Sequence, residues 1–89
     1  MLFRQLFDPE TSTYTYLLAD DASRDAIVID PVLDQIERDV GLIGELGLAL
    51  RYALDTHVHA DHVTALGSLR ERLGAKTVMS ERARRSHVS

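Results

Sequence analysis

The sequence predicts an α/β domain in which a mixed sheet carries flanking helices. Three observations support this. Short apolar segments rich in Val, Ile, Thr and Tyr recur along the chain, each bounded by Pro, Gly or a run of acidic and small polar residues. From residue 33 onward, apolar residues also return at steps of three and four, the period of a helix buried on one side. At 89 residues the chain has room for one core and not for two.

The first segment, LFRQLF at residues 2–7, is apolar enough for a strand, and DPET at 8–11 reads as a turn whose Pro9 lacks the donor a central strand needs. STYTYLLAD, residues 12–20, alternates Thr and Tyr and ends in the polar turn DDASRD, so the two pieces predict a hairpin. AIVID at 26–30 is continuously apolar and β-branched, which predicts a strand buried on both faces and ended by Pro31. Leu33, Ile36, Val40, Ile43 and Leu46 then mark a helix over residues 32–46, weakened inside by Gly41 and Gly44 and stopped by Gly47. LALRYALDT at 48–56 predicts another strand, which runs directly into HVHADH. Val63, Leu66, Leu69 and Leu73 outline a second helix, closed by Gly74, before a last strand at 76–79. Residues 1–80 form the expected domain, and residues 81–89, SERARRSHVS without its first serine, form an aperiodic tail.

Composition narrows the function classes. Hydrophobic residues make up 45% and charged residues 27%, a balance that supports a packed core and argues against disorder. The formal charge of −4 argues against a nucleic-acid or anionic-membrane footprint, and the short basic run Arg82, Arg84 and Arg85 reads as solvated surface. No apolar run approaches the roughly 20 residues of a membrane span. The opening MLFRQLFDPET resembles neither a secretory signal nor a transit peptide, so the expected compartment is the cytoplasm. Without cysteine, any metal must be held by nitrogen and oxygen.

Residues 56–62, THVHADH, concentrate three of the four histidines and an aspartate. If the segment leaves the strand extended, His57, His59 and Asp61 project to one side, and His62 approaches from the start of the next helix. Imidazole nitrogens and a carboxylate suit divalent zinc, iron or manganese, and the end of a strand is where open α/β folds place their sites. The plainer alternative makes Asp61 an N-cap and the histidines surface loop residues. The remaining histidine, His87, stands in no comparable context.

THVHADH also matches the H-x-H-x-D-H signature of the metallo-β-lactamase superfamily. The flanking FRQLFDPETSTYTYLLAD, AIVIDPV and ELGLALRYALDTHVHADHVTALGSLR resemble the persulfide dioxygenase branch of that superfamily over residues 3–80. The resemblance implies the N-terminal part of an αββα sandwich. It also implies one Fe(2+) in a two-histidine, one-carboxylate triad with His57 as a ligand, and His59, Asp61 and His62 as catalytic-site residues around it. The implied substrates are glutathione persulfide and O₂. A glyoxalase II-type thiolesterase is the alternative, with Zn(2+) held by His57 and His59 on one side and by Asp61 and His62 on the other. A metal-free remnant acting by self-association is a third reading. Because the family's remaining ligands lie in later segments, the chain is expected to be inactive alone and to pair either with a second copy or with a C-terminal half.

Overall fold

A computed structural model describes the main chain over residues 1–56 and 60–79, and the side chains over residues 1–56 and 65–78. The chain opens with β1 (Leu2–Asp8) and β2 (Thr13–Ala19), continues through β3 (Asp25–Ile29), a 3-10 turn (Leu33–Gln35) and α1 (Ile36–Glu45), and ends with β4 (Ala49–Asp55), α2 (Ala60–Leu73) and β5 (Lys76–Met79). These form one mixed five-stranded sheet in the order β1-β2-β3-β4-β5. The α/β architecture expected from the sequence is therefore the one observed.

β1 and β2 form the expected hairpin, antiparallel from Leu2 opposite Ala19 to Asp8 opposite Thr13. Its turn is closed by Asp8, whose carboxylate accepts from the Thr11 backbone N–H at 3.1 Å and from the Thr11 hydroxyl. β2 pairs antiparallel with β3, whereas β3–β4 and β4–β5 are parallel and are joined through α1 and α2. A bulge between Ala26 and Ile27 leaves Arg51 out of the β3–β4 pairing, and its guanidinium reaches Asp25 at 2.7 Å.

The helix expected over residues 32–46 is a 3-10 turn followed by a shorter α1, because the chain leaving Pro31 takes one tight turn before the α ladder starts at Ile36. Gly41 and Gly44 do not break α1, since burial of Ile36 and Ile43 outweighs their low propensity. Gly47 at φ 68° ends it, with Leu48 N–H donating to the Ile43 carbonyl at 3.0 Å and Gly47 N–H to the Gly44 carbonyl at 3.1 Å. This is a Schellman stop that only a residue without Cβ enters freely.

One face of the sheet is packed. Leu17 and Ala19 from β2, Ala26 and Val28 from β3, and Leu50 and Ala53 from β4 form a single core with Ile36 and Ile43 of α1 and Ala65, Leu66 and Leu69 of α2. The opposite face carries Phe3, Phe7, Tyr14, Tyr52 and Val78, all exposed, with Phe7 against Tyr14 at 4.9 Å between ring centres. β3 therefore departs from the expectation of burial on both faces. Ala26 and Val28 are buried, but Ile27 and Ile29 are only half-buried, because no described element lies over the second face.

Candidate metal centre

The parallel strands β3 and β4 end side by side, and the segment that carries the histidines leaves from that edge. β4 closes with the buried Asp55, and Thr56 is the last described residue before the cluster. Beside it lies Asp30, buried and in the left-handed region at φ 56°. The Asp30 carboxylate accepts from Thr56 twice, from the backbone N–H at 2.7 Å and from the hydroxyl at 2.6 Å. Asp30 N–H donates to the Leu54 carbonyl at 2.8 Å, and the buried Thr15 hydroxyl donates to the Asp30 carbonyl at 2.7 Å. Three strands are thus tied together at the point where the chain enters HVHADH.

Of the four site residues expected from the sequence, His57 and His59 lie outside the described residues, as do His87 and the tail at 81–89. Asp61 and His62 fall in the first turn of α2. This corrects two expectations. The main chain is helical from Ala60, so the alternation that would align Asp61 with His57 and His59 does not continue to Asp61. Asp61 also stands inside the helix rather than at the N-cap before it.

Among the described residues no three His, Asp or Glu side chains converge as a metal site. Residues 57–62 carry three imidazoles and one carboxylate, a set whose chemistry fits a divalent ion of borderline softness, with no thiolate anywhere in the chain. Asp30 and Thr15 went unnoticed in the sequence as contributors to the site. The available signal was the acidic residue in VIDP, since an aspartate that ends a buried apolar strand needs a partner.

A second polar cluster sits behind the sheet at the start of α1. The Asp8 carboxyl is held below its ordinary value, first by a hydrogen bond from the Gln35 amide at 2.9 Å and then by the Thr11 hydroxyl. Burial pushes the Asp39 carboxyl above its ordinary value, against the pull of Arg38, whose Nε lies 3.1 Å away. This cluster joins α1 to the end of β1, where Arg38 also donates to the Phe7 carbonyl at 2.8 Å.

The fold and the motif agree with the comparison to known families: residues 8–88 match the metallo-beta-lactamase superfamily, and the chain belongs to it. It is 56% identical over 81 residues to the mitochondrial persulfide dioxygenase ETHE1 of Mus musculus and 54% identical to that of Homo sapiens, in each case covering 90% of this chain and 32% of the relative. The crystal structure of ETHE1 from Myxococcus xanthus superposes with a TM-score of 0.84 at 59% identity, covering 91% of this chain and 36% of that one. The chain thus spans about a third of the length of the curated relatives it matches.

Proposed function

We propose that the chain is the metal-binding N-terminal segment of an iron-dependent persulfide dioxygenase. The observation that carries this reading is that HVHADH follows β4 and runs into α2 in a chain more than half identical to named persulfide dioxygenases over 81 residues. His57 serves as a ligand, and His59, Asp61 and His62 line the reaction space. Bound ferrous iron would supply adjacent open positions for a thiolate and for dioxygen. In the balanced reaction glutathione persulfide, O₂ and water give glutathione, sulfite and two protons, the outer sulfur losing four electrons to O₂.

A two-histidine, one-carboxylate triad needs three strong donors in fixed positions, so these 89 residues act only once further donors are supplied. The exposed aromatic face of the sheet is the proposed contact surface, either for the segments that bring those donors or for a second copy. The proposed compartment is the cytoplasm. The mouse and human relatives are named mitochondrial, and no described helix is long and apolar enough to cross a membrane. Fractionation of a tagged copy decides between the two compartments.

The functional test joins the chain to the ligand-bearing remainder of the Myxococcus xanthus relative and measures metal content and oxygen uptake. One iron per molecule with uptake of O₂ on adding glutathione persulfide is expected. Two zinc ions and thiolester cleavage without O₂ uptake would replace this reading with the hydrolase.

A further inference from the structure

We propose that the free edge of β1 is a strand-pairing surface for a second copy of this chain, held closed by the guanidinium groups of Arg4 and Arg38. Among the described residues no strand lies beyond β1. The strand pairs with β2 along its whole length without a shift and carries no proline, so its far side is a regular, uncovered edge. Edges of this kind invite pairing between chains.

Strand parity identifies the groups that stand there. Asp20 N–H donates to the Asp25 carbonyl at 2.9 Å, so the residue directly after β2 turns its backbone toward β3. Successive residues of a strand turn to opposite sides, which gives Ala19, Leu17 and Thr15 to β1, opposite Leu2, Arg4 and Leu6. Phe3, Gln5 and Phe7 are left with their N–H and C=O groups pointing away from the sheet. An antiparallel twofold centred on Gln5 would match these residues with one another, Gln5 with Gln5 and Phe3 with Phe7 of the second copy.

The Phe3 and Phe7 carbonyls already have donors. Arg4 Nη1 donates to the Phe3 carbonyl at 2.9 Å, and Arg38 Nη1 to the Phe7 carbonyl at 2.8 Å. Each guanidinium stands where an incoming N–H would bind. The same register sets Arg4 of one copy opposite Arg38 of the other, because each arginine is anchored to one member of the Phe3–Phe7 match, and like charges placed opposite each other oppose the pairing. Asp39 fixes Arg38 from behind, with Oδ1 3.1 Å from Nε, and is itself only 2% exposed. The buried carboxylate thereby gains a role, since it holds a cation at the edge of the sheet. Self-association of the wild type is left to the open aromatic face.

The test is amide hydrogen exchange on the 89-residue chain at rising concentration, with solution mass followed by sedimentation. It compares the wild type, Arg4→Met, and a combined variant carrying Arg4→Met, Arg38→Met and Asp39→Asn. Methionine keeps an apolar stem and removes the donors, and Asp39→Asn avoids leaving a buried charge without its cation. In the wild type the N–H groups of Phe3, Gln5 and Phe7 should exchange fast at every concentration. In the combined variant they should become protected as mass rises, about tenfold when roughly nine-tenths of the chain is paired, because only the unpaired remainder exchanges. Leu6 N–H, which faces β2, should stay protected in both and reports an intact fold. Fast exchange at the three edge positions of the combined variant while Leu6 stays protected would overturn the proposal, and so would a rise in mass without protection there. Concentration-dependent protection at these positions in the wild type would show that the edge is not closed. If Leu6 loses protection in the combined variant, Arg4→Met, which removes only the Phe3 contact, decides: slower exchange at Phe3 with rising concentration supports the closed edge, and wild-type behaviour refutes it.

Discussion

Leu69 is the side chain on which the seating of α2, and with it the first turn that carries Asp61 and His62, most depends. It is fully buried on the sheet-facing side of the helix, in the same core as Ala53, Ala65 and Ala75. Ala65 stands one turn away on the same face and has no atoms beyond Cβ with which to fill a hole. Leu69→Ala therefore leaves a cavity that closes poorly, which puts the loss in the upper part of the usual range, about 3 to 5 kcal/mol. A chain of this length has about 4 to 13 kcal/mol in all, so the variant forfeits a large share of it. Urea unfolding followed by circular dichroism reads the effect. With a slope of about 1 kcal/mol per molar, the midpoint should fall by about 3 M or vanish. Leu69→Met, which conserves volume, should lose less than about 1.5 kcal/mol. Leu33→Ala, at a residue 36% exposed, should lose well under half of the Leu69→Ala value. A loss below about 1 kcal/mol at Leu69, or an equal loss at Leu33, would refute the assignment of α2 packing to this contact.

Four further outcomes follow from the described geometry. Because burial raises the Asp39 carboxyl above its ordinary 3.8, the folded state holds that proton more tightly than the unfolded chain; its contribution is fullest below 3.8 and is lost as pH rises through the folded value. Asp39→Asn should gain stability over wild type near neutrality and lose that advantage below pH 3.8, which urea midpoints across pH would show. Asp8 is the opposite case, held low by Gln35 and Thr11, so its contribution is present above 3.8 and disappears on acidification; Asp8→Asn should flatten the acid limb of the same profile. At Gly74, φ 71° with open space around the missing Cβ means that Gly74→Ala suffers only the backbone penalty, about 1 to 2 kcal/mol, and Gly74→Asn less; equal stability of all three by thermal denaturation would contradict this. On the open sheet face, Tyr52→Lys should lower the solution mass of any self-associated chain, as measured by sedimentation, and an unchanged mass would place the contact elsewhere.

Local pattern was enough to reveal the strands and the second helix, because a chain this small leaves few ways to bury AIVI, ALRYAL and the Leu66–Leu69–Leu73 stripe. Strand ends came within one or two residues, and β5 matched throughout. The start of α1 was not legible, since the 3-10 turn at Leu33–Gln35 shares the helix's apolar spacing and differs only in its hydrogen bonding. The start of α2 was missed for a related reason. Histidine, alanine and aspartate have no periodic signature over four positions, so nothing in HVHADH marks Ala60 as the point where extension gives way to helix.

For the site, the residue types and spacing of HVHADH carry the expectation of nitrogen and oxygen donors for a divalent metal, because ligand chemistry belongs to the side chains themselves. The tertiary structure alone decided what stands behind that segment. Thr15, Asp30 and Thr56 are separated by 15 and 26 residues, and only the pairing of β2 with β3 and of β3 with β4 brings a hydroxyl, a strained aspartate and the residue before His57 to one strand edge. It also decided which face of the sheet is covered. Alternation assigns residues to two faces, but the helices choose between them, and here both α1 and α2 pack on the side of Leu17, Val28 and Ala53, leaving Phe3, Tyr14 and Tyr52 exposed.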